Sequence, residues 1–144
     1  MNTLVVDASV VAKWFLPTTG ETLTDEALDL LKRYSVGDLR FLVPDLFWSE
    51  LANVFWKAVH RGRWPPSSAE TALRAARDRK IPTVSTIAVL DDAFTIALTF
   101  DRSVYDSLYV AAAIAAKAHL VTADERLANA LAAHLPVKWL GTFR

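Results

Sequence analysis

The chain has 144 residues, of which 53% are hydrophobic and 22% charged, with no cysteine and with sixteen basic side chains balancing sixteen acidic ones. That length suits one domain able to bury about two-thirds of its unfolded surface, and the composition excludes intrinsic disorder. Disulfides, thiolate metal sites and a thiol nucleophile are excluded by the missing cysteine, and a zero net charge means that any polyanion must be met by local patches.

In chain order, TLVVDASVV at residues 3–11 opens as a short β-branched run that predicts a buried parallel strand, with Asp7 at its carboxyl end. Residues 8–16 predict a short helix ended by Pro17, and TDEALDLLKRY at 24–34 predicts an amphipathic helix released by Gly37. FLV at 41–43 predicts a second buried strand, stopped by Pro44 and feeding a long helix over 45–61. GRWPPSS at 62–68 breaks that helix. A helix over 67–79 follows, then IPTVST at 81–86 as a third strand and an apolar helix over 87–100. SVYDSLYVAAAIAAKA at 103–118 is apolar almost all round, which marks a buried helix. HLVTADERL supplies a strand and a helix start, and VKWL at 137–140 the last strand. Strands alternating with helices predict an α/β fold, a three-layer α/β/α sandwich around a central parallel sheet of about five strands, in a single domain over 1–144. No basic leader precedes an apolar segment, and no uncharged apolar run reaches the roughly 18 residues of a membrane span. The expectation is a cytoplasmic protein.

Four acids share one kind of position: Asp7 after the first strand, Glu50 in DLFWSELANVFW, Asp106 in SVYDSLYVAAA and Asp124 in LVTADERLANAL, each near a helix start. Each also has a plain structural role open to it. Asp7 can cap a helix, Asp106 can be the third position of a capping box with Ser103, Thr122 and Glu125 can form another such box, and Asp124 can be an acid favoured by a helix dipole. Glu50 lies at the edge of a polar arc of Ser49, Asn53, Lys57 and His60 on its helix. Gathered at the carboxyl edge of one sheet, where open α/β folds hold ligands, the four carboxylates would raise each other's pKa unless a cation intervened. Oxygen-only donors suit a hard ion, Mg²⁺ or Mn²⁺, and such an assembly suits phosphodiester hydrolysis by a metal-activated water.

VVDASVVAKWF, the SEL motif of the third predicted helix, VYDSLYVAAA and LVTADERLANAL together resemble the PIN-domain family, and within it the VapC-type toxins of bacterial toxin–antitoxin pairs. The resemblance implies a flavodoxin-like α/β/α fold, metal-dependent endoribonuclease activity on single-stranded or loop RNA, a homodimer, and inhibition by a cognate VapB-like antitoxin. It makes Asp7, Glu50, Asp106 and Asp124 the acidic quartet, with Asp7 and Asp106 as ligands of Mg²⁺ or Mn²⁺ and with Glu50 and Asp124 ligating directly or through water. Ser9 and Thr122 take the accompanying hydroxyl positions, to orient water or phosphate. A further ligand would be Glu125 or Asn129, between which the sequence does not choose. Asp91, Asp92 and Asp101 are rival acids in loop and helix-start settings.

Other readings are a non-cleaving RNA- or protein-binding module of the same fold, and a phosphatase of the haloacid dehalogenase class. The latter places a second Asp two residues after its nucleophile, where this chain has Ser9. For partners, Trp48, Ala52, Phe55, Trp56 and Val59 form a face roughly opposite Glu50. With Trp14 and Phe15 that face is either an apolar groove for an antitoxin helix or tail, or the side of a deeply buried helix. The basic runs HRGRW at 60–64 and RAARDRK at 74–80 are either solvated faces or phosphate contacts, and Trp64 stacks a base or packs internally. His60, His119 and His134 lack metal-ligand spacing.

Overall fold

A computed structural model describes residues 2–143. Five strands, β1 (Asn2–Val6), β2 (Leu39–Pro44), β3 (Thr83–Val84), β4 (His119–Thr122) and β5 (Val137–Trp139), form one sheet in the order β3-β2-β1-β4-β5. All four neighbouring pairs run parallel. Parallel strands need crossovers, and the helices α1 (Ala8–Ala12), α2 (Thr24–Ser35), α3 (Leu46–His60), α4 (Pro66–Asp78), α5 (Thr86–Phe100), α6 (Val104–Ala115) and α7 (Glu125–Leu131) provide them. Strand order runs outward from β1 to β3, then jumps back across the sheet to β4. Right-handed crossovers therefore put the connections up to β3 on one face and the return through α5 and α6 on the other. In keeping with this, α3 packs on α1 and α4, while α5 and α6 pack on each other. Leu4, Val5 and Val6 of β1 and Leu120, Val121 and Thr122 of β4 are all buried, as central strands covered on both faces must be.

The elements match the sequence expectations apart from a few boundaries. α1 ends at Ala12, before the expected residue 16, and continues as tighter turns in which Lys13, Trp14 and Phe15 donate to the carbonyls of Val10, Val11 and Ala12. The turn lets Trp14 stack on Phe41 at 5.6 Å and Phe15 meet Phe55 edge-on at 6.0 Å. β2 starts at Leu39 and includes Pro44. Its missing N–H costs no ladder bond there, because the bonds to β3 are made on either side of it, from Val43 to the Pro82 carbonyl and from Asp45 to the Val84 carbonyl. Seven consecutive residues of α6, Ser107 to Ala113, are buried. α5 turns Val89, Ala93 and Ile96 inward but leaves Ile87, Leu90, Phe94 and Leu98 in solvent. Among the described residues, no helix is long and apolar enough to cross a membrane.

Candidate active site

The order of strands reverses between β1 and β4, and open parallel sheets leave a crevice at the carboxyl ends of the strands flanking such a reversal. Asp7 and Asp124 stand there, one just beyond each strand. The Asp7 N–H still donates to the Val121 carbonyl at 3.3 Å, which extends the β1/β4 pairing to the rim of the crevice. Its side chain caps α1, accepting from the Ser9 N–H at 3.0 Å and from the Ser9 hydroxyl. Capping is thus real at Asp7 and also fixes the carboxylate in place.

Glu50 enters from α3, where its Oε1 accepts from the Tyr109 hydroxyl at 2.5 Å. Asp106 lies in the first turn of α6, its N–H donating to the Ser103 hydroxyl at 3.1 Å as the capping reading expected, with Arg102 at 3.7 Å. Asp124 caps α7, accepting from the Leu127 N–H at 3.2 Å. The box expected between Thr122 and Glu125 does not form. Thr122 is the last residue of β4 and fully buried, so its hydroxyl is held inside, accepting from the Asp124 N–H at 3.0 Å and bonding the Asp7 carboxylate.

All four acids line one cleft of about 570 Å³, together with Tyr109, Ser49, Asn53 and Lys57. Burial dominates the electrostatics of Asp7, Glu50 and Asp106. It raises Asp7 from 3.8 to about 6, against the opposing hydrogen bonds of the Ser9 and Thr122 hydroxyls and the Ser9 and Val10 amides. Burial likewise raises Glu50, opposed by the Tyr109 hydrogen bond and reinforced by the charge of Asp106. Asp106 is raised by burial and by Asp124, and lowered by Arg102. Tyr109 is pushed up by burial and by both Glu50 and Asp7, so it stays a phenol and donates. Three carboxylates raised mainly by burial, with Asp106 adding to the rise at Glu50 and Asp124 to that at Asp106, form with Asp124 an oxygen-only donor set that fits a hard divalent cation. Among the described residues no three acidic or imidazole groups close into a tight cage. An ion that keeps several waters and takes one or two carboxylates directly, as Mg²⁺ does, does not require one.

Ser9 and Thr122 were expected to orient water or phosphate, but both hydroxyls are committed to Asp7. Ser9 Oγ also accepts from the Ala123 N–H at 3.2 Å, tying the loop after β1 to the loop after β4. Glu125 and Asn129 are exposed on α7, and Asp91, Asp92 and Asp101 are exposed on or beside α5; none of them lines the cleft. Tyr109 is the participant the sequence reading missed. It lies inside VYDSLYVAAA three residues after Asp106, and that i, i+3 spacing on one helix face was the available signal. Of the polar arc on α3, Ser49, Asn53 and Lys57 reach the cleft and His60 does not.

The aromatic groove does not form as expected. Phe55 is 2% exposed in the core, meeting Trp64 edge-on at 5.1 Å, so Trp64 packs internally. Trp14 is engaged by Phe41 and donates to the Ala27 carbonyl at 2.9 Å, and Trp48 meets Phe47 edge-on and packs against the core. Trp56 alone of the four is exposed, at 56%.

Residues 4–131 match the PIN domain family. Ribonuclease VapC3 of Pyrobaculum aerophilum is 31% identical over 128 residues, covering 88% of this chain and 92% of that protein. Two crystal structures share the fold. PAE2754 from Pyrobaculum aerophilum has a TM-score of 0.70 at 20% identity, covering 98% of this chain and 91% of the other. Mycobacterium tuberculosis VapC20, a sarcin-ricin loop cleaving toxin, has 0.63 at 14%, covering 89% of this chain and 95% of the other. With its sequence matched over almost the whole sheet and four carboxylates meeting where the strand order reverses, the chain belongs to the PIN-domain family, among its VapC-type members.

Proposed function

We propose that residues 1–144 form a single PIN domain acting as a metal-dependent endoribonuclease, the toxin of a toxin–antitoxin pair. The observation that carries this reading is the convergence of Asp7, Glu50, Asp106 and Asp124 from four separate elements on one cleft at the strand reversal. The ribonuclease name of the VapC3 relative supports the substrate.

Asp7 and Asp106 would hold Mg²⁺ or Mn²⁺ directly, with Glu50 and Asp124 ligating it directly or through water. When bound, such an ion supplies charge neutralisation at the phosphate and lowers the pKa of water to make a nucleophile. The chain's own residues set the stage. Ser9 and Thr122 keep the Asp7 carboxylate oriented and ease its ionisation by donating to it. Tyr109 does the same for Glu50 from within the core, and Arg102 restrains Asp106. Lys57, exposed on the wall of the same cleft, is placed to meet phosphate oxygens.

The test is to incubate the purified protein with total RNA, with Mg²⁺ or with EDTA, and to map new ends. Cleavage with Mg²⁺ that EDTA abolishes and that Asp7→Asn removes is the expected result; cleavage retained in EDTA or in that variant overturns the assignment.

Partners follow from the same reading. A cognate VapB-like antitoxin is the expected inhibitor, and Trp56, stacked on His60 at 5.0 Å, is the exposed aromatic of α3 available to it. A homodimer is the expected assembly. The stripe on α5 of Ile87, Phe94 and Leu98, 75%, 55% and 71% exposed, is the apolar surface that supports it.

A further inference from the structure

A second cleft of about 330 Å³ opens beside the acidic one and shares Ser9, Val54, Lys57 and Asp124 with it, so the two form one continuous trough. Their charges are opposite. The second cleft is lined by Lys13, Lys57, Arg61 and Arg63, against Glu21 and the shared Asp124. In a chain whose net charge is zero, this is segregation within one face.

The cations are also built into place. Glu21 accepts from Lys13 Nζ and from an Arg63 guanidinium nitrogen, each at 3.2 Å, with side-chain exposures of 9% for Lys13 and 15% for Glu21. Arg63 donates in addition to the Thr19 carbonyl at 3.2 Å. It reaches these partners because α3 ends in a glycine turn. Gly62 takes φ +71, its N–H donates to Val59 and the Arg63 N–H donates to Ala58, which folds the chain back against the helix. One carboxylate shared by two cations leaves excess positive charge, and among the described residues Lys57 and Arg61 have no ion-pair partner.

We propose that this basic cleft is a phosphate subsite, in which Lys13, Lys57, Arg61 and Arg63 hold the RNA backbone next to the scissile bond and Glu21 braces two of them. The inference rests on the ribonuclease reading and adds a direction to it: the strand runs from the carboxylates past Asp124 toward the end of α3. A polyanion entering an acidic cleft is repelled unless neighbouring phosphates are neutralised, and fixed cations do this without a second ion.

The test uses a mixed-sequence, 12-nucleotide single-stranded RNA and fluorescence anisotropy across a salt series with Mg²⁺ present, all proteins carrying Asp7→Asn so that the strand survives. Adding Arg61→Gln and Arg63→Gln is expected to flatten the salt dependence by about 1.4 units of slope, at roughly 0.7 for each of two phosphates no longer neutralised, and so to weaken binding about 25-fold near 0.1 M salt. The control pair Arg74→Gln and Arg77→Gln removes the same charge from α4, lines neither cleft, and is expected to leave the slope unchanged. Equal slopes in the test and control pairs overturn the subsite. The wild-type chain, assayed with Mg²⁺ on total RNA alongside, separates the two ideas: cleavage with equal slopes sinks the subsite alone, whereas no cleavage sinks it together with the ribonuclease reading.

Discussion

Asp7→Asn is expected to abolish cleavage while making the metal-free protein more stable. Burial lifts Asp7 from 3.8 to about 6, a shift of roughly 2 units, which at about 1.4 kcal/mol per unit is a penalty of about 3 kcal/mol for keeping the folded carboxylate charged at pH 7. Asp7 keeps partial solvent contact, which trims the recoverable amount to about 2 kcal/mol. Asparagine preserves an oxygen for the Ser9 amide, so the cap is retained. For a domain of this size the gain corresponds to a Tm higher by about 5 °C. Its pH dependence has a definite sign. Below about pH 4 Asp7 is protonated folded or unfolded, and wild type carries no penalty. As pH rises through 6 the folded wild type is disfavoured, so the advantage of the variant opens between pH 4 and 6 and levels off above 7. Thermal unfolding followed by circular dichroism in EDTA, over pH 4 to 8, measures it. A variant less stable than wild type at pH 7, or a difference constant across that range, would refute the reasoning.

Tyr109→Phe removes the hydroxyl that donates to Glu50. The Glu50 carboxylate should then titrate higher, moving the acidic limb of the pH–rate profile for RNA cleavage upward, with a stability loss of about 1 kcal/mol seen in urea titration. Gly141→Ala should lower Tm by several degrees, because a Cβ there would meet the Trp139 ring at 2.5 Å and relieving such overpacking costs about 1–3 kcal/mol. Phe94→Glu, on the exposed stripe of α5, should yield a monomer by light scattering with unchanged secondary structure; a persisting dimer would place the interface elsewhere. Mg²⁺ should raise the Tm of wild type and leave that of Asp106→Asn nearly unmoved, as differential scanning fluorimetry would record.

Asp7, Asp106 and Asp124 could be read from the sequence because each sits where a strand or loop hands over to a helix, a place marked by local pattern, whereas Glu50 lies one turn inside α3 and was picked out by the SEL motif and the polar arc beside it. What joined them was less visible. Tyr109 reads as one more large residue in an apolar helix, and only the fold shows that its ring is buried while its hydroxyl meets Glu50. Ser9 and Thr122 were found as residues but not in their role, since nothing local says that β1 and β4 are neighbours. The aromatic groove misled for a similar reason. A helical wheel gives the direction of Phe55 and cannot show that Phe15 and Trp64 will cover it. Periodicity names a face, whereas packing decides what the face meets.

Asp7 and Asp124, far apart in sequence, are neighbours across the central strands, while the segments that complete the wall lie between them in sequence. During synthesis the four-acid cleft therefore cannot form until β4 has emerged and inserted beside β1. If the proposed cleavage activity resides in these four acids, a chain still attached to the ribosome, surrounded by RNA, is expected to stay harmless until residues 119–124 have folded into the sheet.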